Sequence, residues 1–123
     1  MNSTDIYNAL NVSDITDLID SFGDHPAIFS AAIVPQEFSG NHINYYTAEP
    51  ISGGLEYTRE VWTINCRADT QHEALSIAAS VFLEINRKSY SNYFLVCDVY
   101  PVIPPQDTTD QFNCVVEATL KKR

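Results

Sequence analysis

Three cysteines, three histidines and sixteen carboxylates are the side chains of this sequence best able to do chemistry, and their spacing decides what they can do. Cys66, Cys97 and Cys114 each lie inside a strand-like run. No two of them form a C-x-x-C pair, and an odd count argues against a disulfide framework. Buried, reduced thiols are the expected state. A zinc site built across adjacent strands, with one of His25, His42 or His72 as a further ligand, is the alternative, but the ligand spacing lends it nothing. The histidines are scattered over loop, strand and a helix start, so a Ser-His-Asp or Cys-His arrangement would need coincidence in space. Asp98 is a carboxylate in an otherwise apolar strand, a position that can perturb a pKa, although a strand-end location explains it as well. The glycines Gly23, Gly40, Gly53 and Gly54 form neither G-x-x-x-x-G-K-[ST] nor G-x-G-x-x-G, and no G-x-S-x-G elbow is present. The sequence therefore assigns no catalytic residue, no cofactor site and no metal site.

Charge is the next constraint. The chain has 123 residues and a net charge of −9, and from Met1 to Thr58 it carries no Lys or Arg. Asp5, Asp14, Asp17, Asp20, Asp24, Glu37, Glu49 and Glu56 all fall in that part, whereas the seven basic residues all follow from Arg59 onward. Such a chain repels phosphate backbones and lacks the basic patch that supplies most nucleic-acid affinity. Either the acidity serves solubility or it marks a surface past which DNA must slide without sticking. With 45% apolar residues the composition is that of a globular protein, and no run approaches the roughly 20 apolar residues of a membrane span. Met1 to Asp5 lacks the basic start and apolar core of a signal peptide, which reads as a chain made and kept in a cytoplasm.

The elements that would position these residues follow from periodicity. Tyr57–Cys66 is a strand pattern with Trp62, Ile64, Cys66 and Ala68 on one face and Arg59, Thr63 and Asn65 on the other. It leads through Thr70-Gln-His-Glu73, a capping box, into a helix whose stripe is Ala74, Leu75, Ala78, Val81, Phe82 and Ile85. Before it, Ser3–Leu10 suggests a short helix of doubtful continuity. Ser13 is expected to cap a clearer one with Ile15, Leu18, Ile19 and Phe22 inward, Gly23 at its end, and Asp14, Asp17 and Asp20 on a solvated face. Ala27–Val34 reads as a central strand closed by Pro35, and His42–Ala48 as a second. After the long helix, Ser89–Asn92 reads as loop and Tyr93–Tyr100 as a strand buried on both faces except at Asp98. Gln111–Arg123 closes the sheet with Phe112, Cys114, Val116, Ala118 and Leu120 inward. The fold class expected is a single α+β domain over residues 1–123. It is a two-layer sandwich of a mainly antiparallel five-stranded sheet with helices packed on it, in the order α-β-β-β-α-β-β.

Between the His42 and Trp62 strands, Glu49–Glu56 contains Gly53-Gly54, which suits a tight hairpin turn. Its end, with Ile51, Ser52, Gly53, Gly54 and Leu55, would project beyond the sheet as a contact surface, or else form an ordinary loop.

This layout of an N-terminal helix, a strand ending in Val34-Pro35, the His42-Ile-Asn-Tyr-Tyr strand, a Gly-tipped hairpin, the Trp62-Thr-Ile-Asn-Cys strand running into Ala74 to Ile85, and a closing strand pair resembles the tail terminator proteins of long-tailed bacteriophages. The likeness spans about Ser13 to Lys122 and rests on element order, without a signature motif. It implies a virion structural protein, assembled in the host cytoplasm, that is not an enzyme. Such a protein forms a homo-oligomeric, hexameric ring on the last ring of the tail tube, stops its polymerisation and offers a surface to the head connector. The implied partners are copies of the chain itself, the tail tube protein and the head-tail connector protein, with DNA passing through the lumen unbound and no membrane involved. Another head-tail junction component, such as a neck or head-closure protein, is the neighbouring alternative. A small-molecule-binding or enzymatic α+β domain is the alternative from a different class.

Overall fold

The computed structural model describes residues 1–30, 34–35, 38–47, 60–106 and 110–122. The first helix, α1 (Ser3–Leu10), begins at Asn2, whose side-chain oxygen accepts the Asp5 N–H at 3.0 Å while the Asp5 carboxylate accepts the Asn2 N–H at 3.0 Å. This reciprocal box satisfies two of the orphan amides of the first turn, and it makes a short helix hold where propensity alone leaves it doubtful. Ile6, Ala9 and Leu10 face inward from it.

The expected helix from Ser13 to Phe22 does not form at that length. Only α2 (Ser13–Thr16) is helical, its cap position is Val12 rather than Ser13, and no side chain caps it. Phe22 leaves the helix stripe because Ser21–Phe22 becomes strand β1, paired with β2 (His25–Pro26) in a small hairpin. Gly23 turns this hairpin at φ +64°, a left-handed conformation that glycine adopts without strain, so the residue marks a strand turn and not a helix end.

The main sheet has six strands in the order β3-β4-β5-β8-β7-β6, formed by β3 (Ile28–Phe29), β4 (His42–Thr47), β5 (Val61–Ala68), β6 (Ser89–Tyr90), β7 (Tyr93–Val99) and β8 (Phe112–Lys122). The expectation of a five-stranded, mainly antiparallel sheet with two helices is thereby corrected: among the described residues the sheet is mixed, six-stranded and curled, with three helices. Two misreadings account for the difference. Of the described residues in Ala27–Val34 only Ile28 and Phe29 pair, at the edge and parallel to β4, so this part is no central strand. Parallel pairing needs a connection of about a dozen residues, which the stretch from Ser30 to Asn41 supplies. Ser89–Asn92 is not a plain loop either, because Ser89 and Tyr90 pair back on Phe94 and Tyr93 around Ser91, which takes φ +44°.

The central register follows the alternation. Ile43, Cys66 and Cys114 align across β4, β5 and β8, as do Tyr45, Ile64 and Val116. Along β5 and β8, Trp62, Ile64, Cys66, Ala68, Cys114, Val116 and Ala118 are all buried. β7 is buried only at Leu95 and Cys97 and exposed at Tyr93, Asp98 and Val99, so it is not covered on both faces.

Helix α3 (Gln71–Ile85) lies on that core face with Ala74, Ile77, Ala78, Val81 and Ile85 inward. Ile77, Val81 and Ile85 each contribute roughly 1.5–3 kcal/mol by leaving water, and the two alanines less. Thr70 caps α3 by accepting the Glu73 N–H at 3.2 Å, but the Glu73 carboxylate accepts from the Thr70 hydroxyl at 3.0 Å instead of reaching the backbone. Tyr45 joins the layers by donating its hydroxyl to the Ser3 carbonyl at 2.9 Å.

Candidate functional site

The sheet face turned away from the helices is polar and partly enclosed. Period two in β4, β5 and β8 places His42, Arg67 and Asn113 in one cross-strand row and Asn44, Asn65 and Val115 in the next. Ile103 continues the first row by exchanging backbone hydrogen bonds with Asn113. His42, Asn44 and Asn65 are buried, which for polar side chains demands hydrogen bonds. Asn113 donates its amide to the Asn65 Oδ1 at 3.0 Å, and Arg67 donates Nε–H to the Asn44 Oδ1 at 3.3 Å. Among the described residues, the His42 Nε2 and the Asn113 Oδ1 of this row have no hydrogen-bond partner.

His42 Nδ1 lies 2.8 Å from the Gly40 carbonyl, a contact that places its proton on Nδ1. Phe38 meets its ring edge-on, with centroids 5.3 Å apart. Burial pushes its pKa below the ordinary histidine value, and the Arg67 guanidinium adds to the effect against the bond to Gly40. The imidazole is thus neutral near pH 7. Burial likewise lowers the pKa of half-buried Arg67, from a value so high that the group stays charged.

The thiols are on the other side. Cys66 and Cys114 are opposite each other on the core face, with Cys97 on the same face of β7, and all three are free and buried. Burial pushes Cys66 well above the usual thiol range, raises Cys114, and lifts Cys97 to about 12. Protonated thiols are poor nucleophiles and poor metal ligands. Of the histidines considered for a zinc site, His42 lies on the opposite face of the sheet from all three sulfurs. Among the described residues no group of three or more His, Cys, Asp or Glu side chains could hold a metal ion.

Asp20 has a role that its place in a supposedly solvated helix face did not suggest. Its carboxylate accepts the Asn41 N–H at 2.7 Å, its backbone bonds to Asn41 and Ala27, and a Cβ on Gly40 would run into its side chain. Beside this junction, Phe22, Phe29 and Phe38 form an edge-to-face cluster. A largely apolar cleft of about 400 Å³ opens between Tyr7, Phe22, His25, Ile28, Phe29 and Pro35.

A second surface of interest is the outer side of α3. Leu83 is 81% exposed and Leu75 47%, and exposed Ala79 stands between them at helical spacing of four. Leu75 was expected in the buried stripe and lies outside it, while Phe82 is half-buried. From Ala74 to Leu83 the sequence carries no charge, so this ridge is apolar and uncharged on a chain of net charge −9.

The hairpin-tip residues singled out from the sequence, Ile51, Ser52, Gly53, Gly54 and Leu55, lie outside the described residues. The Arg67 row and the α3 ridge were missed. Their signals were present in the period-two continuation of Asn65 to Arg67 and in the uncharged run from Ala74 to Leu83. The chain matches no protein-family model, and no curated protein is significantly similar to it.

Proposed function

We propose that this chain is a structural component of a long-tailed bacteriophage, a tail-terminator-like protein that acts by shape and self-association and is not an enzyme. The observation that carries the reading is the uncharged ridge of Leu75, Ala79 and Leu83. An acidic chain is kept apart from its own copies by charge, and an exposed leucine ridge without charge is where that repulsion is weakest and apolar burial can act.

In this reading copies of the chain close into a ring, a hexamer when seated on the tail. The segment bearing Ile51 and Leu55 meets the tail tube protein, the opposite surface meets the head-tail connector, and the virion holds the protein at the head-proximal end of its tail. The charge of −9 leaves DNA free to traverse the lumen without adhering. Light scattering and negative-stain micrographs of the purified chain test this directly. Rings with a central hole are expected, and a monomer at every concentration up to the solubility limit overturns the proposal.

A further inference from the structure

We infer that Arg67 is a socket for a carboxylate supplied by a second copy of this chain, an interaction surface that deepens the ring-forming reading and rests on it. Four observations carry it. The guanidinium is half-buried, so its charge is less screened than that of an exposed arginine. Its cross-strand neighbours in the row, His42 and Asn113, are both neutral, and among the described residues no carboxylate pairs with it, although the Tyr46 hydroxyl group acts on it electrostatically. Only Nε is engaged, by the Asn44 amide oxygen at 3.3 Å, which leaves the forked terminal N–H groups free of any described partner. Finally, among the described residues the only ion pair is that of the Met1 ammonium with Glu60 at 3.9 Å, although the chain holds sixteen acidic residues.

A half-buried arginine without a carboxylate partner among the described residues is costly to keep in a chain so rich in carboxylates. The planar fork of a guanidinium fits a carboxylate through two parallel hydrogen bonds, a geometry that Lys cannot reproduce. A second copy is the occupant that the charge distribution favours. Each copy brings eight acidic residues and no Lys or Arg between Met1 and Thr58, and one Arg67. A head-to-tail contact repeated around a closed ring then supplies one carboxylate to every socket. Phosphate from nucleic acid is the competing anion, and it is opposed by the net charge.

The test compares the full chain with its Arg67→Met and Arg67→Lys variants by sedimentation velocity and mass photometry, with circular dichroism and thermal melts to establish folding. Arg67→Met is expected to fold and to need at least about tenfold higher concentration to assemble, with Arg67→Lys in between. Rings of Arg67→Met at the wild-type concentration would overturn the socket and leave the ring reading standing. A wild-type chain that never assembles removes both. Should Arg67→Met fail to fold, Arg67→Lys decides, since assembly at the wild-type concentration would refute the need for a planar fork. A gel shift with a short DNA duplex completes the set: binding by the wild type that is lost in Arg67→Met would assign the guanidinium to phosphate and overturn the proposal.

Discussion

Cys66 and Cys114 stand directly opposite each other on β5 and β8, both free and both without exposed surface. Burial is the main reason the Cys66 thiol resists ionisation, and the proximity of Cys114 adds to it. A thiol-specific reagent is therefore expected to leave the native protein unlabelled over hours and to react with three thiols after denaturation. Rapid labelling of even one thiol in the folded chain would contradict the burial described.

Cys97, pushed up to about 12, gives a pH dependence with a definite sign. Above the unfolded thiol value the unfolded chain loses a proton that the folded chain keeps, so stability falls as pH rises from about 9 toward 12. The slope for one such group is about 1.4 kcal/mol per pH unit. The difference in unfolding free energy between wild type and Cys97→Ala, measured across this range, should shrink accordingly. A pH-independent difference would refute it.

His42 acts at the opposite end of the scale. Its folded pKa is lowered, so below the ordinary histidine value of 6.5 the unfolded chain takes up a proton that the folded chain does not. Stability should fall as pH drops through that window. His42→Phe, placed among Phe29 and Phe38, is expected to flatten this part of the profile in urea titrations between about pH 7 and pH 5. An identical profile in the variant would show that His42 does not remain neutral.

The Asp20 junction predicts a paired result. Asp20→Ala removes the acceptor of the Asn41 N–H and should cost about 1–3 kcal/mol. Gly40→Ala forces a Cβ into the Asp20 side chain and should cost a similar amount. In the double variant the contact with the carboxylate is removed and only the residue-20 Cβ at 2.9 Å remains, so the two costs should sum to less than their separate values in a double-mutant cycle by chemical denaturation. Full additivity would place the two residues apart.

For the proposed assembly, Leu75→Glu with Leu83→Glu should leave the thermal midpoint nearly unchanged, since both side chains are exposed, and should abolish ring formation. The Ile51→Asp, Leu55→Asp double variant should fold and form rings yet fail to seat on tail tubes. Tube joining at wild-type efficiency would remove the segment bearing Ile51 and Leu55 from the interface.

How much of this was legible beforehand depended on the range of the interaction involved. The alternation of β5 and β8 and the inward stripe of α3 follow from local pattern, and Trp62, Ile64, Cys114, Val116, Ala78 and Val81 all fall inward as the spacing requires. The Thr70 cap is equally local. Parallel pairing of Ile28 with Ile43 has no local signature, because it depends on where a twelve-residue connection brings the chain back. The β6 turn at Ser91-Asn92 lacks the glycine that usually announces a two-residue hairpin. Arg67 was passed over because an arginine on a strand reads as solvated until its neighbours across two strands are known. Leu75 matched the helical spacing of the stripe, and only the direction of the sheet beneath shows that it faces out.

Asn86, which ends α3 where the chain leaves the helix, also places its side-chain oxygen 3.0 Å from the Cys97 N–H, on the outer side of β7. That amide would otherwise invite a foreign strand, and where the short β6 pairing and the Leu95 bonds to Arg87 and Lys88 end, a side chain closes the border. A strand from another molecule therefore finds no free amide at Cys97 on which to start a ladder, which lowers the tendency of this border to seed fibrils.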